Sequence, residues 1–365
     1  MTEKLDLKNL DKSNWTPFKF EEIAQKISKT VNPEATEVDI YIGLEHLDGE
    51  DIHIRRKGVP ADVKGGKLRC YPGDIIFGKR RAYQRKAAIV DFDSICSAHA
   101  FVFRAHSEVI DPKLFPFFLH SDQFMHRMVD ISVGGLSPTI NWGDLKHQEF
   151  LLPPKDQQAQ LAKLLWAMDE VVEREKQVVN GMQISSKVIA VDHLASVQKN
   201  KIIKLGDICQ PKQWKTIPIK NLTEEGYLVY GGNGIIGRYV DYNHKYPVIA
   251  VACRGEYCGS IHLTEPESYI TGNSMCLDEL DENQFNKKYL FYYLYYSNLD
   301  SIITGSAQPQ IIKEDIARFK IREVNTADQI QLVLKLDQLW DNLKIANKKV
   351  SSSQSLQKSL INQIF

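Results

Sequence analysis

The chain has 365 residues, which at the usual ~100–200 residues per domain is room for two domains and connecting helices. Hydrophobic residues make up 43% and charged residues 25%, an ordinary globular mix that excludes wholesale disorder and a fibrous fold. The 46 Lys+Arg balance the 46 Asp+Glu, so any nucleic-acid surface must be a local patch offset by acidic faces elsewhere.

Residues 1–6 are polar where a secretory signal needs a basic and then an apolar run, and no stretch has the ~18 apolar residues of a membrane span. A cytoplasmic protein with no membrane partner is expected. The six cysteines (Cys70, Cys96, Cys209, Cys253, Cys258 and Cys276) form no CxxC pair and have no histidine at ligand spacing. We read them as reduced packing residues, with no metal site and no disulfide framework.

In chain order, residues 18–23 read as a strand leading into a short helix, and the alternation in 39–44 as a strand. Residues 73–80 spell GxxxxGK, but Arg80 stands where a phosphate-binding loop needs Ser or Thr for magnesium, and residues 82–90 read as a turn entering a strand. A basic loop is the better reading: Lys79, Arg80, Arg81, Arg85 and Lys86 crowd a turn with Tyr83 and Gln84, suited to phosphate neutralisation and base-edge hydrogen bonds. A helix near 112–129 follows, then Gly134-Gly135-Leu136-Ser137-Pro138-Thr139-Ile140, a strand over 149–154, and a long helix opened by Gln157-Gln158.

The second half repeats this order. Residues 203–208 resemble 18–23, and 246–252 read as a strand. Residues 232–237 spell GxGxxG, but Arg238-Tyr239-Val240 continues as a strand instead of the helix a dinucleotide site requires. A glycine-rich hairpin fits, with Asn233, Arg238, Lys245 and Arg254 as its polar and basic candidates among several tyrosines. A helix near 287–301 precedes Gly305-Ser306-Ala307-Gln308-Pro309-Gln310-Ile311, which matches the Gly134 segment at an offset of 171 residues.

The same offset carries Gln158 onto Gln329 and continues through two helical stretches. In the first, Leu161, Leu165, Met168, Val172, Glu175, Val179, Met182, Ser186, Ile189 and His193 share one seven-residue phase; the offset lands on Leu332, Leu336, Leu339, Leu343, Ala346, Val350, Ser353, Gln357, Leu360 and Ile364. With seven and eight of the ten positions apolar, respectively, the two phases predict helices packed along one seam. The expected α/β (α+β) fold is two similar globular domains, 1–154 and 201–325, each followed by a long helix, 155–200 and 326–365. An antiparallel coiled coil with pseudo-twofold symmetry would make a rod of roughly 50–60 Å with a reading head at each end. No methylation, cofactor or nuclease motif marks a catalytic centre, so a non-enzyme is expected.

The doubled order of domain, Gly-x-x-x-Pro-x-Ile segment, strand (Glu149-Phe150-Leu151-Leu152-Pro153-Pro154) and Gln-opened helix, together with the stretch from Tyr230 to Gly237, resembles the specificity (S) subunit of Type I restriction-modification enzymes, the HsdS family. One departure is that Glu323-Val324-Asn325 stands in the second copy where the first has Leu152-Pro153-Pro154. The resemblance implies a bipartite double-stranded DNA target with one half-site per domain. It also implies two methyltransferase subunits docked on the helices and using S-adenosylmethionine, with none bound by this chain, and motor-nuclease subunits that join to cleave unmodified DNA. DNA contact carries over only to the basic-loop residues named above. The specificity subunit of a Type IIB system is a close alternative, and a coiled-coil protein scaffold that binds no DNA is one from another class.

Overall fold

The computed structural model describes residue 10, residues 12–305 and residues 307–365. Residues 1–9, Asp11 and Ser306 of the second glycine-proline segment lie outside the described residues. The described residues divide into two compact units, those up to 176 together with 348–365, and those within 177–347.

In the first unit, strand Thr16–Lys19 pairs antiparallel with Glu149–Leu152, setting Phe18 opposite Phe150 and tying the start of the globular part to its end. The antiparallel sheet that follows has the order Ala24–Ile27, Ala100–Ala105, Ile75–Gly78, Ala87–Ile89. A second sheet orders Thr30–Val31, Lys67–Cys70, Ser94–Cys96 and Tyr41–Ile42, the last pair parallel. The helix expected near 112–129 is two, Phe115–His120 and Asp122–Asp130. The break falls at Ser121, which is extended and whose hydroxyl accepts from the Phe124 amide at 3.2 Å, an N-cap that starts a new helix. Phenylalanines fill the core: Phe20 is fully buried, with its ring centroid 5.0 Å from that of Phe103 and 5.5 Å from that of Phe124.

The second unit repeats the plan. Ile202–Lys204 pairs with Lys320–Arg322, and the four-stranded sheet runs Gln210–Gln213, Ser274–Asp278, Ile249–Ala252, Ile261–Leu263, antiparallel throughout like its counterpart. The glycine-rich stretch is a hairpin, Tyr227–Gly231 with Gly234–Tyr239; Gly234 (φ +73°) adopts the backbone that a side chain would resist. Helix Lys287–Tyr296 packs with tyrosines where the first unit uses phenylalanines, and the extra hydroxyls find partners. Tyr289 bonds His193 at 2.9 Å, Tyr292 donates to Asp337 at 2.7 Å, and the Tyr293 oxygen accepts from the Arg322 amide at 3.1 Å.

The long helices are Lys155–Ser196 and Thr326–Ile364, 42 and 39 residues. In the first unit Leu161 and Leu165 share a core cluster with Ile361 and Ile364, Gln357 donates to Asp169 at 3.1 Å, and Lys349 pairs with Glu175 at 3.3 Å. Partner numbers fall as helix numbers rise, so the pair is antiparallel. In the second unit Ala190 packs in one core with Leu332 and Leu336, and the Trp340 indole donates to Ser186 at 3.3 Å. All twenty seam positions named from the sequence are buried or half-buried. Leu161, Leu165, Val172, Leu332 and Leu336 are buried, while Met168, Leu339 and Leu343 are half-buried.

Candidate nucleic-acid interface

In the first unit, strand Ile75–Gly78 runs out into Lys79, Arg80 and Arg81, turns through Ala82–Gln84 and returns as Ala87–Ile89. The glycine-proline segment clips onto this loop. Val133 bridges Thr139, Thr139 bridges Arg80, the Arg81 amide donates to Pro138 at 2.8 Å, and the Ile140 amide donates to Lys79 at 2.9 Å. The second unit repeats the clip: Thr304 bridges Gln310, Gln310 bridges Arg254, the Gly255 amide donates to Pro309 at 3.0 Å, and the Ile311 amide donates to Cys253 at 3.1 Å. Arg80 and Arg254 therefore hold equivalent, exposed positions; Arg81 corresponds to Gly255, and half-buried Lys79 to buried Cys253.

Among the described residues, Lys79, Arg80 and Arg81 make no ion pair with a carboxylate. The charges accumulate: burial and then the cations Arg80, Lys79 and Lys67 hold the His99 pKa below its ordinary value, and burial with Lys26 lowers that of Lys79. Lys26 lies over the Trp142 ring at 5.5 Å and Lys79 over Phe101 at 5.2 Å, so aromatic faces support both ammonium groups. Lys26, Lys67 and His99 escaped the sequence reading because they come from separate strands and a loop that only the fold assembles. Arg81 and Arg85 both sit in the left-handed region, φ 55° and 52°, on either side of the turn. Such backbones cost about 1–2 kcal/mol each outside glycine, and this places the strain on the candidate loop.

Two of the loop's cations point inward. Arg85 pairs with Asp122 at 2.7 Å, donates to the His120 carbonyl at 2.9 Å, and has Nε 3.1 Å from Glu50, within ion-pair reach but not aligned for a hydrogen bond. Lys86 donates to the Leu44 carbonyl at 2.7 Å. Their charges are engaged within the unit, because the turn reverses between Arg81 and Arg85. Tyr83 at the turn's tip is exposed.

In the second unit Asn233 is exposed at the hairpin tip; beside it, a side chain at Gly232 would meet the Arg254 carbonyl at 3.4 Å, so the tip and Arg254 adjoin. Arg238 stands toward the other end of strand Gly234–Tyr239 and donates to the Gly226 carbonyl at 2.7 Å. Lys245 lies in the loop beyond, over the Tyr246 ring at 5.6 Å. Arg238, Lys245 and Arg254 make no ion pair among the described residues, yet the structure does not gather them as tightly as Lys79 to Arg81.

The family model for the Type I restriction modification DNA specificity domain matches twice, at residues 12–181 and 198–352. This chain belongs to that family. Within it, the EcoDI specificity subunit of a Type I restriction enzyme from Escherichia coli is 27% identical over 177 residues, 47% of this chain but only 38% of the length of that protein. In fold, the chain is similar to the S subunit of a Type-I restriction-modification system from M. genitalium, at a TM-score of 0.62 and 18% identity over 96% of both chains. It is also similar to a chain from a structural study of complex assembly and conformational transition of the type I R-M system, at a TM-score of 0.51 and 16% identity over 96% and 97%. The doubled match mirrors the doubled unit. Among the described residues no helix is long and apolar enough to cross a membrane.

Proposed function

We propose that this chain selects the DNA target of a restriction-modification complex and carries no catalytic centre of its own. Each unit reads one half of a bipartite site, and the length of helix associated with each reader enters the spacing of the two halves. The observation that carries the reading is the repeated clip at Arg80 and Arg254. Two copies of one backbone device hold an unpaired, exposed arginine, the side chain best shaped for bidentate contact with phosphate or guanine. In the first unit Lys26, Lys67, Lys79 and Arg81 add the phosphate-neutralising charge, with Tyr83 at the tip; in the second, Asn233, Arg238 and Lys245 supply donors and charge.

Two methyltransferase subunits dock on the helices, bring S-adenosylmethionine and modify an adenine in each half-site, and motor-nuclease subunits join them. The helices carry apolar side chains outside the seam that suit such docking, Ile184 and Val188 on one and Leu334 and Ile345 on the other, all more than 50% exposed. Co-expression with the methyltransferase of the same operon, followed by mapping of modified adenines, tests the proposal. A split motif with a fixed gap is expected, and modification at an unsplit motif or none at all would refute it.

A further inference from the structure

Residues 243–244 and the strand Ser274–Asp278 are 30 or more positions apart in sequence, which is why local spacing gave no hint of a metal centre. The fold of the second unit brings His244, Cys276 and Asp278 together, with one ligand atom from each lying within 4.8 Å of the others. Cys276 and Asp278 are two residues apart on one strand and so share a face of the sheet. His244 Nε2 reaches Asp278 Oδ1 at 2.9 Å.

The hydrogen bonds around the cluster fix the ring's chemistry. The Asn243 side chain is locked in orientation by the backbone of Ile270, its Oδ1 accepting from the Ile270 amide at 2.9 Å and its Nδ2 donating to the Ile270 carbonyl at 2.9 Å. Asn243 Oδ1 also faces His244 Nδ1 at 2.8 Å, so Nδ1 must be the donor of that bond. With Nδ1 carrying a hydrogen, Nε2 directs a lone pair at a carboxylate oxygen unless a cation stands between them. A proton can fill that place, and so can a metal ion. On its far side, Asp278 Oδ2 accepts from the Trp214 indole at 3.0 Å. Imidazole and carboxylate are thus each held from behind by a hydrogen bond, the outer support that metal-bound histidines and carboxylates carry.

We propose that His244 Nε2, Asp278 Oδ1 and Cys276 Sγ form a transition-metal site that takes Zn2+, with the fourth position left to water. The mixed nitrogen, sulfur and oxygen set suits a borderline-soft ion and disfavours magnesium and calcium. Bonds of about 2.0–2.3 Å require ligand separations of roughly 3.3–3.6 Å, so Nε2 and Oδ1 part by a few tenths of an ångström and the thiol closes by a side-chain rotation. The thiol proton passes to solvent as the sulfur binds. The ion would pin the loop carrying His244 and Lys245 to the central sheet of the second unit.

The probe is Co2+, titrated into the purified full-length chain and followed by absorption. One equivalent giving a thiolate-to-cobalt charge-transfer band is expected. Cys276→Ser abolishes the band, Cys209→Ser retains it, and Trp214→Phe weakens Co2+ binding about tenfold by removing the outer hydrogen bond. No band, or a band that survives Cys276→Ser, overturns the proposal. Should Cys276→Ser fail to fold, the thermal midpoint decides: Zn2+ raises it in the wild-type chain and leaves it unmoved in His244→Gln, whereas equal shifts in both, or none in either, overturn the site.

Discussion

Gln158 and Gln329 grip the same three backbone groups in their respective units. Gln158 Oε1 accepts from the Asp111 amide at 2.6 Å, while its Nε2 donates to the carbonyls of Val109 at 3.0 Å and Pro153 at 2.8 Å. Gln329 Oε1 accepts from the Asn286 amide at 2.7 Å, and its Nε2 donates to the carbonyls of Gln284 at 2.9 Å and Val324 at 2.8 Å. Both side chains are 1% exposed. Each glutamine joins the first turn of a long helix to the loop before helix Phe115–His120 or its counterpart Lys287–Tyr296, and to the end of the closing strand, three segments that apolar packing alone would not align. Replacement by leucine keeps the volume but leaves one amide and two carbonyls without partners. Gln158→Leu and Gln329→Leu should each destabilise their own unit by about 2–4 kcal/mol, measured by denaturant unfolding. A loss under about 1 kcal/mol in both would mean that water replaces the clamp.

The missing proline of the second copy has a substitute. Asn325 Oδ1 accepts from the Asp328 amide at 2.9 Å, its Nδ2 donates to Asp328 Oδ2 at 2.8 Å, and the helix begins at Thr326. The side chain caps the helix where the first copy uses prolines to stop the strand and set the entry. Asn325→Ala should lower the stability of the second unit by about 1 kcal/mol, whereas Asn325→Ser, which keeps a cap oxygen without setting a second carboxylate against that of Asp328, should lose less. Comparing the midpoints of the two variants checks this.

The doubled plan and the seam were legible because helical periodicity is a local signal: all twenty heptad positions from Leu161 and Leu332 onward lie in buried or half-buried places. The Gly-x-x-x-Pro-x-Ile segments were legible as a repeat, but their job as clips on the basic loops was not. The partner of Thr139 is Arg80, far away in sequence, and no local pattern encodes a bridge of that span. The same limit hid Lys26, Lys67 and His99 and grouped Arg85 with Arg81. Composition gives the charge of a loop, but two left-handed residues decide which of its cations face outward.

His53 should make the first unit's stability pH-dependent with a sign opposite to that of His120. The His53 imidazole is 2.8 Å from Asp169, whose hydrogen bond raises its pKa against the opposing effect of burial; the Asp169 charge and Glu173 also raise it, and Arg55 lowers it. Arg55 is itself paired with Asp51 and Glu173, and Lys176 also reaches both carboxylates. Because the folded value lies above the unfolded one, near 6.5, the contribution of His53 is complete below that pH and fades as pH rises through the folded value. His120 is buried, its pKa lowered first by desolvation, so its contribution is present above about 6.5 and lost on acidification. Subtracting the unfolding free energy of His53→Gln from that of the wild type isolates His53. The difference should shrink as pH rises, and a flat difference would show that the contact with Asp169 does not depend on charge.

Arg81 allows charge and strain to be separated. Arg81→Ala and Arg81→Gly both remove the guanidinium with its Nε contact to Ser137 at 3.1 Å, and only Arg81→Gly also relieves the left-handed backbone. Arg81→Gly should fold with a stability within about 1 kcal/mol of wild type, since the relief at φ 55° offsets the added freedom of the unfolded chain. On the proposed reading, Arg81→Gly and Arg80→Ala weaken binding at the half-site read by the first unit, flatten the salt dependence by about one phosphate contact each, and leave base preference in the other half unchanged. Arg254→Ala does the converse. The assay is methyltransferase-complex binding to duplexes substituted in one half-site at a time, across a salt series. Equal losses on both halves from any single arginine would mean that the two units do not read independently.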